Sequence, residues 1–335
     1  MDDPQFVLAG KLAREYLLPP YGQARLDLPG GNLLYAAGGL AIWGQYPGLM
    51  ARVGEDYPRA WLKMFEGRGY DTRGIHILPG PLDLRTFRAY SENWQVYTTN
   101  PVSHFAGRGL PFPKGLLGYR QPAKGPENRS ESPPEELRIS DIPSAYLSAR
   151  MVHLCSLNFV TQTQLISAFK GGTASTFTVD PSPDYMQPSY LDALRSLLKG
   201  LTAFFPTDED LYALFRGQTN DLWEMAEALG SFGCEFIVIK CGERGQMLYD
   251  AVGKRRWQVP AYPARLVDPT GAGDAFCGGF LAGYHCTYDP LQAVLYGNVS
   301  ASLTVEGPGA FYALDVLPGL AEARRQSLAN IVLEI

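Results

Sequence analysis

Several whole classes of protein are excluded by what this sequence lacks. Its 29 basic and 34 acidic residues leave a net charge of −5 with no long basic run, so nothing draws it broadly to nucleic acid or to an anionic membrane. Five cysteines, odd in number and without a C-x-x-C pair, argue against a disulfide scaffold and for a reduced, cytoplasmic compartment. The longest apolar stretch, LLYAAGGLAIWG at 33–44, falls well short of the roughly 20 residues that cross a bilayer and reads as a buried helix. The acidic start MDDPQFVLAG has no positive n-region, so export is not expected. No G-x-x-x-x-G-K-[ST] occurs, no G-x-G-x-x-G follows the first strand, and none of the four histidines has metal-ligand spacing. Any phosphate site must use another device.

With 335 residues, 46% of them hydrophobic, the chain can bury one large core. From about residue 150 strands and helices alternate: MVHLCS and STFTVD read as buried strands, each followed by helix-compatible sequence. Leu222, Met225, Ala226 and Leu229 recur at helical spacing ahead of the strand FIVIK. GQMLYD and RWQVPAY flank AVGKR as a hairpin at a sheet edge, and helices from Ala275 to about Cys286 and from Leu291 to about Val305 are expected to cover one face. The first 100 residues differ, with short strand-like pieces such as FVLAG and RTFRAYSE suggesting a small β-element. Residues 100–144, rich in proline and glycine, read as a loop insertion or flap. The sequon NRS at 128–130 carries almost no weight in a cytosolic chain.

The most informative stretch is DPTGAGDAFCGGF, residues 268–280. Gly271 and Gly273 could form a tight turn with Asp274 as a helix cap. Alternatively, exposed N–H groups of Gly271, Ala272 and Gly273 at a helix N-terminus form an anion pocket, with the Asp274 carboxylate beside it to take a proton.

The whole thirteen-residue run resembles the C-terminal signature of the ribokinase-like carbohydrate kinases, the PfkB family, whose pattern is D-T-x-G-A-G-D-x-F. In that family the aspartate of G-A-G-D is the catalytic base and the glycines form the anion hole, which implies those roles for Asp274, Gly271, Ala272 and Gly273. Other segments follow in the family's order. Gly30 and Gly31 resemble the paired glycines of the first signature, and residues 51–75 resemble V-G-x-D-x-x-G with its following L-x-x-x-G-V-D. IKCGERGQMLY resembles the T-x-G-x-x-G element beside the nucleotide, with Gly242 and Gly245 matching and Lys240 replacing threonine. SLTVEGPGAF resembles the segment bordering adenine and a monovalent-cation loop, with Gly309 matching. The resemblance runs from about residue 5 to about 315, strongest in the last third.

The departures concern metal and sugar. PTDEDL stands where the family has P-N-x-x-E, so Thr207 replaces asparagine and Asp210 replaces the glutamate that helps organise magnesium; Thr207 and Asp210 also fit a helix-capping box. The family's sugar-binding aspartate and asparagine correspond to Glu15 and Tyr35. Asp268 is the candidate for the cation loop.

The resemblance implies a single α/β domain over 1–335, with a three-layer α/β/α core on a mainly parallel sheet. It also implies a small β-lid drawn from about 10–30 and 82–100. The implied activity is ATP- and magnesium-dependent phosphorylation of a hydroxyl on a sugar, a sugar-like molecule or a nucleoside. Potassium use and a homodimer through the lid are left open. The alternative is a catalytically degraded relative that binds ligands or assembles with partners.

Overall fold

The computed structural model describes residues 3–121 and 133–335; the sequon at 128–130 lies outside them. In chain order the strands are β1 (Phe6–Ala9), β2 (Ala13–Leu18), β3 (Arg25–Gly30), β4 (Gly48–Gly54), β5 (Asp71–Leu78), β6 (Arg85–Tyr90), β7 (Val96–Tyr97), β8 (Met151–Leu154), β9 (Thr176–Val179), β10 (Ala203–Phe204), β11 (Phe236–Lys240), β12 (Gln246–Asp250), β13 (Arg255–Val259) and β14 (Leu333–Glu334). Ten of them form one sheet in the order β14-β13-β12-β11-β10-β9-β8-β1-β4-β5. From β5 to β11 every pairing is parallel, and β12, β13 and β14 add an antiparallel edge. Strands such as FVLA and MVHL are buried at every position, as a sheet covered on both faces requires.

The helices are α1 (Asn32–Ala41), α2 (Arg59–Gly67), α3 (Pro101–Gly107), α4 (Phe159–Phe169), α5 (Leu191–Leu198), α6 (Asp208–Leu214), α7 (Leu222–Gly230), α8 (Ala272–Thr287), α9 (Pro290–Thr304) and α10 (Leu320–Ala329). Leu165, Leu194, Leu197, Met225 and Leu229 of α4, α5 and α7 pack with Val152 and Ile237 on one side of the sheet. On the other side, α1 and α8 meet Leu8 and Leu49, and α8 and α9 meet Val238 and Leu248. The result is a three-layer α/β/α core. No helix among the described residues is long and apolar enough to cross a membrane.

A separate four-stranded sheet, in the order β3-β2-β6-β7, stands over the carboxyl ends of the parallel strands. The two-residue period of β6 gives it two faces. Thr86, Arg88 and Tyr90 line cavities against the core. Phe87 and Ala89 point away and bury themselves with Tyr16, Leu18, Phe105 and Leu116.

That outer cluster corrects one expectation. The described part of the 100–144 insertion is not a bare loop: Pro101 opens α3, and Phe105, Phe112, Leu116 and Tyr119 pack onto the lid. The outer face of the lid is thus covered by the chain's own insertion.

Candidate active site

Helix α8 starts at the turn Pro269–Gly271, and Gly271 occupies its N-cap with φ at 77°. A Cβ at Gly271 would lie 2.0 Å from the Tyr35 ring, so both backbone conformation and packing demand glycine there. The first-turn amides have no partners within the helix, and the helix dipole makes this end positive. The Ala272 amide turns back to the Pro269 carbonyl at 3.3 Å. Of the three expected anion donors, Ala272 is therefore the one already tied into the turn.

Asp274, in the same turn, lines a cavity of about 300 Å³ between core and lid. Loss of hydration and the neighbouring Asp180 carboxylate push its carboxyl up to about 7, against the pull of Lys240 and Arg88. Lys240 ends β11 and places Nζ 2.7 Å from Asp180 Oδ1, just beyond β9. Burial raises the Asp180 carboxyl in spite of that lysine. Lys240 also runs beside Gly273, where an added Cβ would sit 3.5 Å from Nζ. One ammonium and two carboxylates thus meet at the strand ends, where open α/β sheets bind ligands.

Three of the expected sugar-binding residues, Glu15, Gly31 and Tyr35, line the same cavity. Glu15, on β2, is almost completely buried; its Oε1 accepts from the Gly31 amide at 3.1 Å and its Oε2 accepts from the Tyr35 hydroxyl at 2.8 Å. Burial raises the Glu15 carboxyl, while the Arg88 charge and these two donors oppose the rise. Gly30 serves this carboxylate, because a Cβ there would lie 2.1 Å from its carbon. Tyr35 is packed beneath Gly271 and holds Glu15 in place, so its ring is not open for stacking on a sugar.

A second cavity, of about 530 Å³, opens on the other side of the turn. Gly242, Ala261, Pro263, Leu266, Ala272 and Ala301 contribute to its mainly apolar wall, a suitable bed for a planar heterocycle. Of the expected nucleotide residues, Gly242 lines this cleft. Gly245 lies behind it, packed against the Val259–Ala261 backbone, and Gly309 is outside its wall.

Thr207 and Asp210 form the capping box of α6: the Asp210 amide donates to Thr207 Oγ1 at 3.0 Å, and Asp210 Oδ2 accepts from the Thr207 amide at 2.9 Å. Asp268 does not fit a monovalent-cation site. Its Oδ2 accepts from Arg25 of the lid and its Oδ1 accepts from the Thr270 amide at 3.0 Å, so a guanidinium already supplies the positive charge.

This arrangement agrees with the chain's relatives. Residues 126–316, more than half the chain, match the family model for pfkB family carbohydrate kinases. A cytidine kinase of Thermococcus kodakarensis is 30% identical over 281 residues, covering 83% of this chain and 87% of that protein. The chain belongs to the PfkB family of carbohydrate kinases. Among solved structures, the Burkholderia thailandensis nucleoside kinase bound to inosine superposes with a TM-score of 0.69 at 17% identity, over 97% of this chain and 99% of that one. An E. coli protein assigned as a ribokinase II, solved with ATP and Mg2+, gives 0.70 at 19% identity, with the same coverage. At such identities these structures speak to the fold.

As a PfkB kinase the protein uses ATP and acts on sugars or nucleosides. Three residues of its site carry no sequence motif: Asp180, Arg25 and Arg88. Only the alternation of β6 hinted at the last, by setting Arg88 on the same face as Thr86 and Tyr90.

Proposed function

We propose that this kinase transfers the γ-phosphoryl group of ATP to a hydroxyl of a nucleoside, with Asp274 as the base. The observation that carries the nucleoside reading is the number of charged side chains in the acceptor cavity's wall. Besides Glu15 and Asp274, its wall includes Lys11, Arg52, Asp83 and Glu135. Arg52 is fixed there by Asp141, which accepts from its Nε at 2.6 Å and from its Nη2 at 2.9 Å. A free pentose is satisfied by Glu15 and the few groups about it, whereas a nucleoside adds a base edge whose donors and acceptors can meet these further charged groups. The likeness to a cytidine kinase over most of both chains supports the same reading.

In this scheme Glu15 accepts from sugar hydroxyls, its two oxygens pre-set by Tyr35 and Gly31. The acceptor oxygen forms its bond to the γ-phosphorus as the bond to the bridging oxygen breaks, and that electron pair leaves with ADP. The hydroxyl proton passes to Asp274, and the Gly271 and Gly273 amides meet the charge on the phosphoryl oxygens. Asp210, whose cap uses Oδ2, has Oδ1 with which to hold magnesium through water, and Asp180 is a second carboxylate close enough to feel its charge. Bound magnesium would screen the phosphate charges.

The test is kcat/KM for cytidine, uridine, adenosine, inosine, ribose and fructose. Two hydrogen bonds to the base, at about 0.5–1.5 kcal/mol each, predict a nucleoside preferred about 5- to 150-fold over any free sugar. A free sugar as the best substrate would overturn the proposal.

A further inference from the structure

The basic side chains of the acceptor cavity are all engaged by carboxylates within hydrogen-bond reach, except one. Arg52 is held by Asp141, Arg85 by Asp83 with Nε to Oδ1 at 2.7 Å, and Lys11 by Glu136 at 2.6 Å. Arg88 is different. Its buried Nη1 stands 3.5 Å from Glu15 Oε1 and makes no hydrogen bond. A buried donor left without a partner costs about 1–3 kcal/mol, and more when charged. Such a group in a cavity wall calls for a ligand acceptor.

Its position tells which acceptor. Arg88 lines the acceptor cavity beside Gly271 and Asp274, and also a third, open cavity of about 360 Å³ formed with Tyr90, Trp94, Pro269, Thr270 and Gly271. The guanidinium therefore borders both spaces that adjoin the Thr270–Gly271 turn from the lid side. The nucleotide cleft reaches the same turn through Pro269 and Ala272. A phosphoryl group passing from cleft to acceptor must cross this turn. Sugar hydroxyls find their acceptor in Glu15, whereas a planar guanidinium suits anionic oxygens and is matched in shape to phosphoryl groups.

We propose that Arg88 is a catalytic residue carried by the lid, whose guanidinium donates to non-bridging oxygens of the transferring phosphoryl group, across from the Gly271 and Gly273 amides. This rests on the kinase reading and deepens it. Bond making and breaking are those given above; Arg88 keeps its proton throughout and stabilises the charge shared over the equatorial oxygens. The lid thereby completes the catalytic site as well as covering it.

The experiment compares wild type, Arg88→Ala and Arg88→Lys, each first checked for an unchanged melting temperature. Three quantities are read: kcat at saturating substrates, Kd for the best acceptor nucleoside without nucleotide, and Kd of that acceptor with ADP, magnesium and aluminium fluoride. Arg88→Ala is expected to lower kcat about 10²–10³-fold, the scale of an essential charge-stabilising donor. Its acceptor Kd alone should change less than about threefold, while the tight aluminium fluoride complex is lost. Lysine, a point charge without the fork, should recover part of kcat.

If Arg88 merely positioned Glu15, the alanine variant would bind acceptor weakly and keep its kcat at saturation; that result overturns the proposal. So does a kcat within about threefold of wild type. Wild type with no turnover on any sugar or nucleoside sinks the kinase reading and this proposal together. Turnover by wild type with an unaffected Arg88→Ala variant sinks this proposal alone.

Discussion

Asp274 sits where two demands conflict: a base must be ionised to accept a proton, yet its surroundings disfavour the charge. Loss of hydration and Asp180 raise its carboxyl to about 7, and only Lys240 and Arg88 pull it back. The consequence for rate is direct. As pH falls through about 7 the base is protonated, so kcat/KM should drop about tenfold per unit on that limb and level off above it. The consequence for stability has the opposite slope. The folded carboxyl titrates above its unfolded value of 3.8, so ionising it costs folding free energy that grows between pH 4 and 7 and is fully present above. Asp274→Asn removes that cost. Its turnover should fall at least 100-fold, while its melting temperature relative to wild type should rise more at pH 8 than at pH 5. A variant with more than about a tenth of wild-type kcat would remove Asp274 from the role of base.

Among the elements, the lid and the turn before α8 are joined by side chains, and this bears on the use of a monovalent cation. Arg25 of β3 donates to Asp268, and the Tyr90 hydroxyl of β6 lies 2.7 Å from Thr270 Oγ1. Asp268 thus receives its counter-charge from the lid. The rate in tetramethylammonium salts should match that in potassium salts, and Arg25→Ala should lower the rate and make it responsive to added potassium or guanidinium. A wild-type rate that rises about tenfold or more with potassium would contradict this. The same elements mark how far the sequence could be read. The turn and helix start at TGAGD were legible because they are contiguous in sequence, and the Thr207–Asp210 box because its two partners lie three residues apart. Arg25, Arg88 and Asp180 were not, since each reaches the site from a different strand or strand end, brought there by sheet pairing that no local pattern encodes. Tyr35 was found by its place after Gly30, but its role beneath Gly271 depends on the packing of α1 against α8. Helix α3 was hidden by composition. Proline at its first turn favours a helix start as much as a loop.

At the scale of the whole molecule, the lid is a sheet with two committed faces. Inward, Glu15, Thr86 and Arg88 line the acceptor cavity; outward, Tyr16, Leu18, Phe87 and Ala89 are buried under Phe105 and Leu116 of the chain's own insertion. A sheet face left open to water would need covering by another surface, and a second lid would be one means. Here Phe105 is 1% exposed, and truncating a phenylalanine so buried costs about 3–5 kcal/mol, which measures how firmly the insertion holds that place. The protein should therefore run as a monomer in sedimentation velocity at micromolar concentration. Phe105→Ala should lower the melting temperature and slow turnover, because the strand that carries Phe87 outward carries Arg88 inward. A wild-type dimer whose formation protects the α3 and β6 amides from hydrogen exchange would overturn the argument, since it would place a second copy on a face already covered.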